Sequence, residues 1–433
     1  MAIQALLVIL AVLLVLLFLG VPISYAIAVS SLTAILSSID LNVAVLTAAQ
    51  RTFVGMSKFS LTAIPFFILA GNIMNQGGIA KRLVDFVMAI LGKLPGALLV
   101  TNIGTNALFG AISGSASAAA AAVGSMIRDG AEEQGYDPAV TAATNAASSC
   151  SGLLIPPSNA LITYSLASGG TSVAALFMAG YIPGIIWALC CCVVGVLLAV
   201  KLGYKGTPGK FDWKNLGVCT LRALPSLSLI IVVIGGIIGG VFSATEGSAI
   251  AVVYALILAF CYRSINLKSL WKIIVDSAKM SGMVVFLVGV SNILGWVMAF
   301  LQIPDAVAAA LLSLTSNKYI ILLIMNVILL ISGTFMDVTP AILIFTPLFL
   351  PICQSFGMST IQFGLILVYN LCIGNITPPV GNALFVGIKV GRTSLSKVMP
   401  YMLMYYAAII AGLLLVTFIP AVSMALPQAM GLV

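Results

Sequence analysis

Apolar residues fill 2–19, 21–38, 60–76, 138–166 and 174–200 almost without interruption, and then 222–240, 243–262, 282–300, 358–388 and 399–420. Neither the alternation of a half-buried strand nor the one-sided stripe of a soluble helix runs through them. A helix needs about 20 apolar residues to cross a bilayer, so each segment is expected to span one. Residues 79–94 differ: Ile79, Leu83, Phe86, Val87, Ile90 and Leu94 share one helical face, with Lys81, Arg82 and Asp85 turned away, which predicts an arm helix lying at the membrane interface. Residues 303–314, opened by Pro304, are its counterpart. Residues 97–127 and 319–352 are apolar but divided, at Ser113-Gly114-Ser115 and between Gly333 and Asp337. Re-entrant hairpins are expected there, because the arms of the first fall short of a full crossing.

The second set of segments repeats the first. Ala26-Ile27-Ala28-Val29 matches Ala249-Ile250-Ala251-Val252, Asn72 matches Asn292, Ser113-Gly114-Ser115 matches Ser332-Gly333-Thr334, and Pro156-Pro157 matches Pro378-Pro379, all at offsets between 219 and 223. Five crossings per half is an odd number, so the second half enters from the opposite side as an inverted repeat, the plan of many secondary transporters. The expected organisation is a first repeat over 1–202, a cytoplasmic linker over 203–221 and a second repeat over 222–433. With that linker inside, sixteen of the nineteen Lys and Arg are cytoplasmic and only Arg51, Lys58 and Lys318 lie outside. This obeys the positive-inside rule and puts both termini on the outer, periplasmic face.

Composition agrees. Of 433 residues, 61% are hydrophobic and 7% charged, with a mean hydropathy of +1.21, against about 25% charged in a soluble domain. The net charge of +8 belongs to membrane-flanking loops, and no nucleic-acid partner is expected. There is no histidine, which removes the usual neutral-pH base and proton shuttle; an enzyme is not expected. The eight cysteines form no C-x-x-C pair and sit mostly in apolar runs, so neither a disulfide framework nor a metal site is read. Residues 1–19 read as a first membrane helix, since the apolar stretch has no Lys or Arg before it, as a signal peptide would, and runs on through Gly20-Val21-Pro22 into another apolar segment. The stretch Gly203-Tyr-Lys-Gly-Thr-Pro-Gly-Lys-Phe211 fails as a P-loop in spacing and at Phe211. That leaves an ion gradient as the energy source, with Na+ favoured over H+.

The chemistry concentrates at two double prolines, in Ser151-Gly-Leu-Leu-Ile-Pro-Pro-Ser-Asn159 and Gly374-Asn-Ile-Thr-Pro-Pro-Val-Gly-Asn382. Proline lacks the amide donor and clashes with the preceding turn, so the spans 138–166 and 358–388 are expected to break. Carbonyls freed at membrane depth are costly unless protein, water or an ion satisfies them. Paired breaks point to a transporter's binding site, though a single one could equally be a kink held by neighbouring helices. The predicted Na+ ligands are therefore Ile155, Pro156, Asn159, Asn375, Thr377, Pro378 and Asn382 at the breaks, with Ser113, Gly114, Ser115, Gly333, Thr334 and Asp337 at the hairpin tips. Ser117, Ser158, Asn159, Thr334 and Asn382 are the predicted substrate contacts. Two readings stay open at the tips, ion ligands or ordinary caps. Asp337, the one acidic residue within 319–352, is either an ion ligand or a cap on the helix that Thr339-Pro340 begins. Ser243-Ala-Thr-Glu246 reads as a capping box. An ion channel would use similar broken helices and is the alternative of another class.

Together these residues resemble the large membrane subunit (M) of tripartite ATP-independent periplasmic (TRAP) transporters. The likeness runs through IPFFILAGNIMNQGGIAKRLVDF (64–86), AISGSASAAAAAVGSM (111–126), GLLIPPSNALITYS (152–165), FSATEGSAIAVVYAL (242–256), SGTFMDVTPAILIFTPLFLPI (332–352) and NITPPVGNALFVG (375–387). Ala119 departs from it, because many members carry an acidic residue there. The resemblance implies an all-α polytopic inverted-repeat transporter of elevator type, with Na+ as coupling ion and no other cofactor. It also implies a small membrane partner (Q), a periplasmic substrate-binding protein (P), a small carboxylate substrate and a lipid setting in a bacterial inner membrane. Within the family, LLIPPSNALITYSLASGGTS (153–172) is most similar to sialic-acid (N-acetylneuraminate) members; C4-dicarboxylates and sugar acids are the alternative substrates.

Overall fold

A computed structural model describes residues 2–206, 212–315 and 317–433; Lys210 and the end of the P-loop-like stretch lie outside the described residues. The described residues form helices and no strand. In the first half these are α1 (Ala2–Phe18), α2 (Ile23–Ile35), α3 (Leu41–Met56), a 3-10 turn (Phe59–Thr62), α4 (Ala63–Gln76), α5 (Ile79–Leu91), α6 (Ala97–Ser113), α7 (Ala116–Glu133), α8 (Pro138–Ser149), α9 (Ser151–Leu154), α10 (Asn159–Ala167) and α11 (Val173–Leu202). The second half has α12 (Trp213–Ile238), α13 (Ala244–Cys261), α14 (Leu267–Phe300), α15 (Ile303–Leu314), α16 (Lys318–Phe335), α17 (Val338–Ser355), α18 (Thr360–Asn375), α19 (Asn382–Val390), α20 (Leu395–Phe418) and α21 (Pro420–Ala429).

Among the described residues, α11, α12, α13, α14, α16, α17 and α20 are each long and apolar enough to cross a bilayer. The pair α3 and α4, bent by 60° around Ser57 and Lys58, makes an eighth span if counted as one. Several boundaries differ from the sequence expectation. The predicted crossing at 60–76 is only the second limb of that bent pair, and α3 was not anticipated because Asn42, Thr47, Gln50 and Arg51 dilute its apolar run. The expected span at 21–38 is a helix of 13 residues, shorter than a crossing needs, ended by the polar Ser37 and Ser38. Residues 263–279, read as loop, mostly belong to α14, a continuous helix of 34 residues. Lys268, Lys272 and Lys279 therefore ride on the first turns of a membrane helix. Glu246 does form the expected capping box: its carboxylate accepts from Ser243 N at 2.7 Å, and Ser243 Oγ accepts from Glu246 N at 3.3 Å.

The arm α5 buries Ile79, Leu83 and Val87 on one face and leaves Ile90 exposed; it ends at Leu91, short of the expected 94, and Leu94 is exposed beyond it. Its Arg82 guanidinium lies 3.5 Å from the Tyr262 ring centroid, a cation–π contact that ties the arm to the end of α13.

Each helical hairpin is fastened to its interrupted helix by two devices. The first is close backbone approach. A Cβ on Gly152 would sit 2.1 Å from Gly110 Cα, and one on Gly374 would sit 2.3 Å from Gly333 C, so only glycine fits these crossings. The second is a buried asparagine clamp. Asn106 Nδ2 donates to Asn102 Oδ1 at 2.7 Å, to Ser148 Oγ at 2.8 Å and to Asn145 Oδ1 at 3.1 Å. In the other half Asn370 Nδ2 donates to Asn326 Oδ1 at 2.7 Å, and Asn326 Nδ2 donates to Thr417 Oγ1 at 3.0 Å. In an apolar medium such interhelical amide bonds contribute about 0.6–2 kcal/mol each.

The small residues of α7 serve the same end. Ala119 and Ala120 are fully buried, and Gly124 lets Asn145 reach across to donate to Ala120 O at 2.8 Å.

Candidate functional site

The first hairpin turns because α6 ends at Ser113, Gly114 takes a left-handed φ of +61°, and the extended Ser115 caps α7 by accepting from Ala118 N at 3.4 Å. The second turn lies at Met336 and Asp337, both extended, and Asp337 caps α17 by accepting from Val338 N at 2.9 Å. Gly333, expected to make the reversal, is instead inside α16 and provides the crossing against Gly374. The sequence match of Ser113-Gly114-Ser115 to Ser332-Gly333-Thr334 is therefore out of register by about one helical turn. Gly333 does the work of Gly110, and Asp337 that of Ser115.

At both interrupted helices the double proline has a cis peptide bond, at Pro156-Pro157 and Pro378-Pro379. The chain itself satisfies part of what the prolines release. Ser158 Oγ, besides capping α10 by accepting from Leu161 N at 3.3 Å, donates to Leu153 O, the carbonyl four residues before Pro157. Gly374 O, the carbonyl four residues before Pro378, accepts from Thr377 N at 2.9 Å, while Thr377 Oγ1 donates to Ile373 O at 2.7 Å. Fewer bare carbonyls remain than the sequence suggested.

The tips and breaks meet around one cavity of about 410 Å³. Of the predicted site residues, Ser113, Gly114, Ser115, Ser117, Asn159, Asp337, Asn375 and Asn382 line it. Ile155, Pro156, Ser158, Gly333, Thr334, Thr377 and Pro378 do not. Ser158 and Gly333 are buried in packing, and Thr334 has its hydroxyl on Ile331 O and its carbonyl accepting from Val380 N at 3.1 Å.

Two buried oxygens in the wall lack any donor. Asn159 Nδ2 donates to Gly114 O at 3.4 Å, and Asn375 Nδ2 contacts Cys150 Sγ at 3.9 Å, but Asn159 Oδ1 and Asn375 Oδ1 have no hydrogen-bond partner. A buried amide oxygen without a donor is costly; an oxygen-preferring cation is a fitting partner for it. Asp337 is exposed to the cavity, so capping leaves its second carboxylate oxygen free to face the same space.

Sequence reasoning missed part of the wall. Asn72 was noted only as a repeat landmark, yet it lines the cavity and donates to Ser277 Oγ at 2.8 Å, pinning α4 to α14. Thr163, Thr339, Met280 and Val284 also line it. The asparagine clamp was missed as well, although Asn102 and Asn106 stand one turn apart in an apolar run, a legible sign of an interhelical contact.

The family profile described as "Tripartite ATP-independent periplasmic transporter, DctM component" matches residues 10–422. The "Uncharacterized protein YgiK" of Salmonella typhimurium is 50% identical over 408 residues, which cover 94% of either chain. The "Isethionate TRAP transporter permease protein DctMQ" of Oleidesulfovibrio alaskensis is 37% identical across 94% of this chain and 64% of its own length. The "Sialic acid TRAP transporter large permease protein SiaM" of Vibrio cholerae is 31% identical across 95% of this chain and 96% of its own. A solved structure, the YdaH transporter of Alcanivorax borkumensis, shares the fold with a TM-score of 0.62 at 16% identity, covering 88% of each chain. With a profile match over nearly its whole length and seven apolar spans among the described residues, the chain belongs to the DctM component family of TRAP transporters: it is a multi-pass inner-membrane transport permease and not an enzyme.

Proposed function

We propose that this permease imports an organic acid on a sodium gradient. The observation that carries the reading is the pair of donorless carbonyl oxygens, Asn159 Oδ1 and Asn375 Oδ1, in the cavity wall where the tips and breaks converge. Sodium binds there through these oxygens and through Ser113, Ser115, Asp337 and Asn382, and the substrate occupies the rest of the cavity against Ser117 and Asn382. Carbonyls of Ile155, Pro156, Gly333, Thr334, Thr377 and Pro378, set back from the wall, hold the geometry of these elements, and that of Gly114, in the wall itself, accepts from Asn159 Nδ2. One sodium with a monoanion carries no net charge, so the membrane potential, about 2.3 kcal/mol per charge per 100 mV, adds nothing. A second ion makes import electrogenic, and the duplicated architecture offers a second site.

The mechanism follows from how the parts are joined. The two halves form an inverted repeat with both termini in the periplasm. The hairpins are re-entrant, and with the interrupted helices they move as one body, an elevator, along α14 and the bent pair α3 and α4. The asparagine clamps and glycine crossings support this reading because they lock each hairpin to its interrupted helix. A small membrane subunit and a periplasmic binding protein complete the system, as in the tripartite family. The substrate reading is sialic acid, from residues 153–172. A second reading, a small sulfonate or C4-dicarboxylate, is favoured by the higher identity to the isethionate permease, 37% against 31%.

The test is uptake into proteoliposomes holding this chain and its small subunit, with purified binding protein outside and N-acetylneuraminate, isethionate or succinate as labelled substrate. Accumulation should require both inward sodium and the binding protein. Uptake indifferent to sodium overturns the coupling, and uptake of succinate or isethionate alone overturns the sialic-acid reading.

A further inference from the structure

A second cavity, of about 420 Å³, lies on the same four walls as the first. On α14, Met280 and Val284 line the first cavity, while Val288, Asn292, Trp296 and Ala299 line the second, so one helical face runs from one to the other. On α17 the order is Thr339 and then Leu343 and Pro347; on α10 it is Asn159 and Thr163 and then Leu166. The bent pair supplies Ile64 and Gly71 to the first and Arg51 and Lys58 to the second. The second cavity is at the end of α14 far from Lys268, Lys272 and Lys279.

Its charge is one-sided. Arg51 and Lys58 line it and no carboxylate does. Among the described residues the ion pairs are those of Arg128 with Asp129 and Glu132, so neither cation is neutralised. Arg51 sits 5.9 Å from the Trp296 ring centroid, which leaves its guanidinium at the edge of an aromatic and aliphatic wall formed with Leu343. Two unneutralised cations beside apolar surface, in a volume within the usual range for small-molecule sites, suit an anion with an organic body.

We propose that this cavity is an entry site for the transported organic anion, which binds its carboxylate or sulfonate on Arg51 and Lys58 before the anion passes along α14 to the asparagine-lined cavity. The assignment rests on the import reading above, but it concerns different residues and is tested without sodium. A cavity walled by low-dielectric protein and bearing one sign of charge concentrates the opposite ion, and raises its encounter rate by at least about tenfold at low salt.

Ala299→Cys places a reporter in this wall, with Asn292→Cys as a second reporter should the first fail to give monodisperse protein. The full chain, in phosphatidylcholine nanodiscs and sodium-free buffer, is reacted with two methanethiosulfonates of similar size, one bearing a sulfonate and one a trimethylammonium group. Labelling of the native cysteines is subtracted. The sulfonate reagent should be favoured, and Arg51→Gln with Lys58→Gln should lower the ratio of the two rates about tenfold. Raising salt to 1 M, where the Debye length is about 3 Å, should lower it too. N-acetylneuraminate, isethionate or succinate at millimolar concentration should slow labelling in the parent and not in the double variant.

A rate ratio that ignores the two neutralisations overturns the proposal, as does labelling that none of the three anions slows. Sulfonate labelling that falls as phosphatidylglycerol replaces phosphatidylcholine in the parent and not in the double variant, which feels the same negative surface potential, would assign the cavity to a lipid headgroup and equally overturn it. Loss of sodium coupling in the uptake assay leaves this readout standing, so failures of the two readings are distinguishable.

Discussion

At the scale of single residues, the chemistry of the first cavity depends on oxygens that the protein leaves without donors. Asn159→Ala and Asn375→Ala each remove one such oxygen from a residue that lines the cavity. Because a contact to a charged group is worth about 1.5–3 kcal/mol, each should raise the sodium concentration for half-maximal uptake by about tenfold or more while the protein still folds. Asp337→Asn separates its two roles. An amide oxygen can still cap α17, but the negative charge is lost, so a weakened sodium dependence with unchanged thermal stability is expected; sodium dependence equal to the parent's would make Asp337 a cap alone. The residue chemistry was half legible in the chain. The double prolines announce the breaks, and Asn159, Asn375 and Asn382 flank them visibly. That Ser158 and Thr377 would spend their hydroxyls on the carbonyls of Leu153 and Ile373 depends on local turn geometry that residue type alone does not set.

At the scale of elements, a hairpin and its interrupted helix behave as one unit because backbone meets backbone. Gly152→Ala would push a methyl to within 2.1 Å of Gly110 Cα. Overpacking of this kind costs about 1–3 kcal/mol, which should appear as a lowered melting temperature in detergent. Gly374→Ala should do the same in the other half, and Gly130→Ala, with open space around its position, is the matched control that should not. Asn370→Leu breaks the clamp to Asn326 and should lower the melting temperature less than the glycine variants, since interhelical amide bonds average under 1 kcal/mol in membrane proteins. The elements also show where reading by pattern goes astray. A local match of Ser-Gly-Ser to Ser-Gly-Thr aligned the wrong glycines, because three similar residues do not reveal that one glycine turns the chain while the other packs. Arm length also depends on that packing: α16 runs on to Phe335 because Gly333 is helical, and both arms of the second hairpin reach 18 residues.

At the scale of the whole molecule, the asymmetry of charge ties the parts together. With two sodium ions per monoanion, an inside-negative potential should accelerate uptake into proteoliposomes at a fixed sodium gradient; rates unchanged by valinomycin-imposed potentials would mean a single ion per monoanion. The two cavities share walls on α14, α17, α10 and the bent pair, so a displacement of the hairpins along α14 would carry the asparagine-lined chamber from one toward the other. The glycine crossings and the clamp bonds of Asn106 and Asn370 lie within the proposed moving body, although Asn326 also reaches Thr417 on α20, and the α14 face that joins the cavities is largely apolar, with Met280, Val284 and Val288.

The amino-acid sequence by itself determined that this chain lives in a membrane, that two of its spans are interrupted, and where those interruptions fall. Those properties are local: run length of apolar residues and the missing amide of proline act on the chain wherever it folds. Only the tertiary structure decided that α3 and α4 bend into one span, that Gly333 packs while Asp337 marks the turn, and which asparagine oxygens share one cavity. Each of these is fixed by which helices touch, and contact between segments distant in the chain is set by the closeness that glycine permits and by the few polar groups that must find partners in a medium without water.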